Sequence, residues 1–277
     1  MVGVNIMVAT QRYEAYVRCA ADAGADVIIS GAGLPVDLPA YVEGTKAKIA
    51  PVVSSLKSFV VLCRLWERKY NRYPDFVVVE GPKAGGHLGF TLEELETCTQ
   101  EAYDEVIRSI VKKAEEYGEK AGRKIPVIVA GGIFDGEDMK HALSLGADGV
   151  QAATRFVTTE ECDAAPEYKD AYIKAKKEDI CIVKSPVGMP GRAIRNAFIE
   201  RTKTEKCRIT HCYQCITTCN PAKIPYCITQ ALVNAAEGKL DDALLFCGEN
   251  AYRCEKMEKV EDIMKEFRAA AEQLNIL

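Results

Sequence analysis

The segment Asp75–Phe90, DFVVVEGPKAGGHLGF, sets the strongest constraint on what this chain can become. Phe76–Val79 is an unbroken apolar run rich in β-branched residues. That is the pattern of a strand buried on both faces, and such strands belong to parallel sheets. Glu80-Gly81-Pro82 ends the run as a turn. The next residues, Ala84-Gly85-Gly86-His87-Leu88-Gly89, place a histidine among glycines at the carboxyl end of a strand. Barrels and open α/β sheets bind their ligands at such ends. Glycine lets the backbone approach a flat or anionic ligand because no Cβ intervenes. The plainer alternative is a glycine-rich turn with an exposed histidine.

The rest of the chain repeats the theme. Gly3–Ala9 reads as a first buried strand, and its Asn5 is a buried amide in need of partners. A helix over Gln11–Ala23 leads to a strand at Val27–Ser30, and Lys48–Ser55 forms a third. In the helix Leu56–Tyr70, Phe59, Leu62, Cys63, Trp66 and Tyr70 share one face, which makes the only tryptophan a core residue. After the central strand come a long helical region, Thr91–Gly122, and a strand, Ile125–Ala130, that turns out through Gly131-Gly132. A helix over Asp138–Leu145 and a last strand, Gly149–Phe156, complete the series. The helix-stop and strand-start AGADV before the second strand recurs as LGADGV before the last. Alternating strands and helices of this kind make a parallel α/β fold.

A TIM-type (β/α)8 barrel is expected over 1–200, because the glycine turn after the fifth strand suits the phosphate site that barrels build from their last loops. A doubly wound sheet more often carries G-x-G-x-x-G after its first strand, and none stands there. A closed barrel needs eight strands, and only six are legible. The expectation is a barrel lacking its first two βα units.

Residues 201–277 differ in composition and are expected to form a small Cys-rich helical extension. The chain has 12 cysteines, and Cys207, Cys212, Cys215, Cys219 and Cys227 crowd together. Such density points to an iron–sulfur cluster or structural zinc, with His211 as a further ligand. Free cysteines in a helical cap are the alternative. Lys259–Leu274 reads as an amphipathic helix. The loop Ser185–Asn196 offers Arg192 and Arg195 to an anionic group, or simply to solvent. His141 reads as surface or filler. A net charge of −4 gives no basic surface for nucleic acid, and no run nears the ~20 apolar residues of a membrane span. A cytoplasmic protein whose cysteines are reduced thiols or metal ligands, rather than disulfides, is expected.

GVNIMVA, EGPKAGGHLG, IPVIVAGGI and GADGVQAATRF, in this order and spacing, resemble the nitronate monooxygenase (2-nitropropane dioxygenase) family, which has flavin-dependent enoyl-acyl-carrier-protein reductases as close relatives. The resemblance runs from about Gly3 to Asn196 and implies an FMN-containing barrel. It assigns Asn5, Glu80, Gly85, Gly86, Gly131, Gly132 and the segment Gln151, Ala152, Ala153, Thr154 to the flavin, and makes His87 the catalytic base. Two departures stand out: Glu80 occupies a position often held by glutamine, and Ala153 one often held by glycine. The implied activity is oxidation of alkyl nitronates with O2. Its rivals are NAD(P)H-dependent reduction of an enoyl thioester and non-catalytic flavin or metal binding. The expected partner is a small-molecule substrate, with neither nucleic acid nor membrane, and the class admits a homodimer.

Overall fold

The computed structural model describes residues 1–274. Their contacts divide the chain into two compact units. The first comprises Met1–Gly81, Glu96–Ala130 and Ala142–Val150; the second comprises Pro82–Leu95, Gly131–His141 and the chain from Gln151 onward. The described part of the expected extension, residues 201–274, lies within the second unit, together with the two glycine segments.

The first unit is built on a parallel sheet of six strands: β1 (Gly3–Met7), β2 (Val27–Gly31), β3 (Lys48–Val53), β4 (Val77–Glu80), β6 (Val127–Ala130) and β7 (Gly149–Gln151). Their spatial order is their chain order, without the reversal that marks a doubly wound sheet. That settles the choice between the two α/β architectures in favour of a barrel-type wall. Among the described residues the order does not return from β7 to β1. β2, β3 and β4 are almost wholly buried, as their apolar runs require. β1 is different. Gly3 and Asn5 are exposed and only Ile6 is buried, and among the described residues β1 has a strand neighbour on one side only. The expected burial of the Asn5 amide is therefore corrected.

The core of this unit forms where helices cover the sheet. The helix Leu56–Tyr70 starts at Ser55, whose side chain accepts from the Ser58 amide at 3.3 Å, and ends at Asn71 in the left-handed region. Its Phe59, Leu62, Cys63 and Trp66 are fully buried, while Tyr70 reaches out to donate to Asp37 at 2.5 Å. Trp66 packs with Ile28, Ile49 and Leu62, and its indole N–H donates to the Pro35 carbonyl at 3.0 Å.

Three segments depart from expectation. The helical region Thr91–Gly122 breaks into Leu92–Thr97 and Gln100–Ala121. Thr99 causes the break: extended, it caps the second helix by accepting from the Ala102 amide at 3.2 Å. The last strand ends at Gln151 rather than Phe156, because a short helix, Thr154–Val157, begins at once. In the second unit, Ser185–Asn196 is not a loop throughout. β8 (Ile180–Lys184) and β9 (Pro190–Ile194) form an antiparallel hairpin, and β5 (Gly86–His87) joins the outer side of β9. The C-terminal helix, Val260–Gln273, buries Ile263, Phe267, Ala270 and Ala271 but leaves Met264 exposed. No helix of the described residues is long and apolar enough to cross a membrane.

Replacing Trp66 by alanine removes a fully buried ring and strands the Pro35 carbonyl. The expected loss is about 3–5 kcal/mol, a large share of a domain's ~5–15 kcal/mol. Urea unfolding followed by circular dichroism measures it, and a loss below ~1 kcal/mol contradicts this packing.

Candidate active site

His87 is fixed from three sides within the second unit. Through β5 its backbone pairs with Gly191, and the Leu88 amide donates to the Pro190 carbonyl at 2.9 Å. Its ring meets Phe246 edge to face, with centroids 5.0 Å apart. Nε2 lies 2.7 Å from the Ser185 hydroxyl, and Nδ1 has no partner among the described residues. Burial disfavours the imidazolium and lowers the His87 pKa below its ordinary 6.5. At neutral pH the ring is therefore neutral, with a lone pair on one nitrogen.

The glycines ahead of it serve a purpose the sequence did not reveal. A Cβ on Gly85 would stand 2.5 Å from the Cys247 carbonyl carbon and 2.6 Å from the Gly248 nitrogen. The close neighbour of Gly85 is thus the protein's own backbone. Gly86 has φ +70, which favours glycine for conformational reasons.

The segment Cys247–Asn250 ties the remaining loops together. Gly248 N–H donates to the Thr154 hydroxyl at 3.0 Å, and Glu249 N–H to the Lys83 carbonyl at 3.1 Å. Asn250 Nδ2 donates to the Gly132 carbonyl at 2.7 Å. Gly131 and Gly132 have φ +88 and +90, and a Cβ on Gly132 would meet the Lys83 side chain at 3.1 Å. Just beyond, Arg253 pairs with Asp135 and with Asp138, the latter at 3.0 Å, and lies over the Phe134 ring. The turn is thus clamped from the C-terminal side. The amides of Gly131, Gly132, Ala152 and Ala153 have no acceptor among the described residues. Unspent backbone donors on two adjoining loops fit a dianionic phosphate.

Asn5 and Glu80 belong to the first unit. Glu80 ends β4, largely buried, with no cation or hydrogen-bond donor to its carboxylate among the described residues. Burial raises its pKa to about 7. The phenol of Tyr103 lies near enough to be raised in turn, first by its own burial and then by Glu80.

The cysteines do not form the expected metal site. Among the described residues no group of three or more Cys, His, Asp or Glu side chains is placed to hold a metal ion. Cys212 is exposed. Cys207, Cys227 and His211 instead border a cavity of about 350 Å³ that also takes in Arg201 and Arg208. Cys215, Cys212 and Cys227 lie close enough to Cys219 to raise its pKa, after burial, which contributes most. The spacing brings thiols into one neighbourhood without giving them a common centre. Arg195 pairs with Glu200 at 3.8 Å on the surface, and His141 is exposed. Ser185, Phe246 and Asn250 carried no sequence signal of their own, since their partners lie about a hundred or more residues away.

The sequence profile of the family described as nitronate monooxygenase matches residues 1–269. A probable nitronate monooxygenase of Staphylococcus aureus is 36% identical over 126 residues, covering 46% of this chain and 33% of that protein. The match thus spans about a third of the curated relative's length. FabK from Thermotoga maritima superposes with a TM-score of 0.73 at 28% identity, over 99% of this chain and 78% of that one. A nitroalkane oxidase from Streptomyces ansochromogenes shares the fold, with a TM-score of 0.67 at 19% identity over 95% and 70% of the two chains. The order of the strands, the histidine between its glycines and the extent of the profile match lead to one conclusion: the chain belongs to the nitronate monooxygenase family.

Proposed function

We propose that this chain carries the catalytic centre of an FMN-dependent oxidoreductase that oxidises alkyl nitronates with O2. The observation that carries the reading is the anchored, neutral His87 in the same unit as two loops with unspent amides. Gly131, Gly132 and Ala152–Thr154 would hold the flavin phosphate. Asn5, Glu80, Gly85 and Gly86 are assigned to the flavin by their place in the family's motifs. FMN supplies the acceptor for electrons leaving the substrate carbon and their route to O2.

The protein's own part is proton handling. In the tautomer whose Nε2–H donates to Ser185 Oγ, the lone pair of His87 sits on Nδ1. Where the neutral nitroalkane is what binds, that nitrogen takes the proton from the carbon bearing the nitro group and so yields the alkyl nitronate, the form that gives up electrons. The burial of His87 keeps the imidazole neutral, so the base is available without prior loss of a proton. The likeness to FabK favours a second reading, reduction of an enoyl thioester, in which the same imidazole donates or directs a proton.

His87→Ala is expected to retain FMN while turnover with a nitroalkane falls by roughly 10²–10⁴-fold, the usual weight of a general base. Oxygen uptake at saturating substrate measures it; turnover within a few-fold of the parent removes His87 from the role. The parent's acid limb in kcat/KM should lie below pH 6.5.

Glu80 gives an independent pH test. Its folded pKa, about 7, exceeds its ordinary 4.5, so between these values the folded state binds more protons than the unfolded one. Stability therefore falls as pH rises from 4.5 to about 7. Glu80→Gln removes the ionisation, and its Tm should exceed the parent's at pH 8, with the gain shrinking towards pH 5. An equal Tm difference at both pH values shows that Glu80 is not held neutral by burial.

A further inference from the structure

Arg192 is 7% exposed, and a guanidinium leaves water only where hydrogen bonds and an opposite charge compensate. Both are present. One terminal nitrogen, NH1, donates to the carbonyls of Pro82 at 2.7 Å and Ala84 at 2.5 Å. The other, NH2, lies 3.6 Å from the Glu249 carboxylate. The main chain of Arg192 pairs with Gly86 in the β5–β9 ladder, and its carbonyl accepts from the Cys247 amide at 3.1 Å. The same residue therefore grips the turn before the glycine pair with its side chain and the strand bearing His87 with its backbone. Sequence alone offered Arg192 to an anionic ligand or to solvent. Folded, its donors face inward to two carbonyls.

Lysine lacks the means to replace it. Two carbonyls and a carboxylate approached by one side chain call for a rigid planar fork, whereas an ammonium is a compact point charge on a flexible stem. The Glu249 amide also donates to the Lys83 carbonyl, so the turn is held from the same side by Arg192 and by residue 249. Any shift of that turn passes through Gly85, which has no room against the Cys247–Gly248 peptide, and so reaches His87.

We propose that Arg192 is a positioning residue: it fixes the turn Pro82–Ala84 and thereby the direction in which His87 presents Nδ1. The inference rests on His87 acting as the base.

The test uses the full chain carrying Arg192→Lys or Arg192→Gln. The protein holds 3 histidines, His87, His141 and His211, so ring resonances can be assigned and titrated by NMR without any turnover. In a folded variant the His87 resonances and titration midpoint should move towards those of an ordinary histidine, while His141 and His211 stay put. With FMN bound, kcat should fall roughly 10–100-fold, the cost of misplacing a reacting group, with KM within a few-fold of the parent. A folded variant with unchanged His87 titration and unchanged kcat overturns the proposal. So does failure of both variants to fold, since Arg192 would then hold the unit together rather than aim a side chain. Movement of His87 in a protein whose parent lacks nitroalkane turnover would uphold the clamp and reject the proposed reaction.

Discussion

The second unit depends on a contact between two stretches of backbone. Gly85 lies so close to the Cys247–Gly248 peptide that no side chain fits between them. From this point the peptide bonds of residues 247–250 fan out to Arg192, Thr154 and Lys83, and the Asn250 side chain reaches Gly132. Each bond joins a segment from a different part of the chain. Buried backbone groups must find partners, and here the partners belong to different loops. Satisfying them fixes the loops relative to one another. The glycine turn and the Ala152–Thr154 bend are thus tied to residues 247–250 by hydrogen bonds, alongside an apolar cluster that includes Phe134, Cys247 and Ala251.

Burial then sets the electrostatics. His87 and Glu80 are both shifted towards their neutral forms, by the same cause: the charged form loses water and gains no opposite charge. A neutral imidazole is a base and a neutral carboxylic acid is a hydrogen-bond donor. In that form Glu80 offers what a glutamine side chain offers, so a carboxyl group at a position often held by glutamine is chemically less of a departure than its formal charge suggests. Arg192 is the opposite case. Its charge survives burial because carbonyls and Glu249 surround it.

Much of this was legible in the sequence, for a local reason. Most of the six parallel strands are short apolar runs, and β2, β6 and β7 follow helix-ending glycines, Gly24, Gly122 and Gly146, so both signals are read within a few residues. The Leu56–Tyr70 helix announces its buried face by spacing alone. The sequence was least informative where structure depends on distant partners. PGRAI at 190–194 has the composition of a loop, yet it becomes a strand because Gly86–His87 and Ile180–Lys184 flank it. Ser185 is an ordinary serine until it meets a ring 98 residues away. The cysteine spacing was a real signal of proximity, but metal binding requires sulfur atoms to converge on one point, and spacing does not encode that convergence. The apolar neighbours of Asn5 suggest a central strand, whereas among the described residues β1 pairs on one side only.

The account stands or falls on the direction in which electrons enter the flavin. Under anaerobic conditions, an alkyl nitronate mixed with the FMN-loaded protein should bleach the flavin absorbance, and admission of O2 should restore it. NADPH alone should leave it unchanged under the same conditions. Bleaching by NADPH with no response to the nitronate would contradict the account and make the protein a reductase.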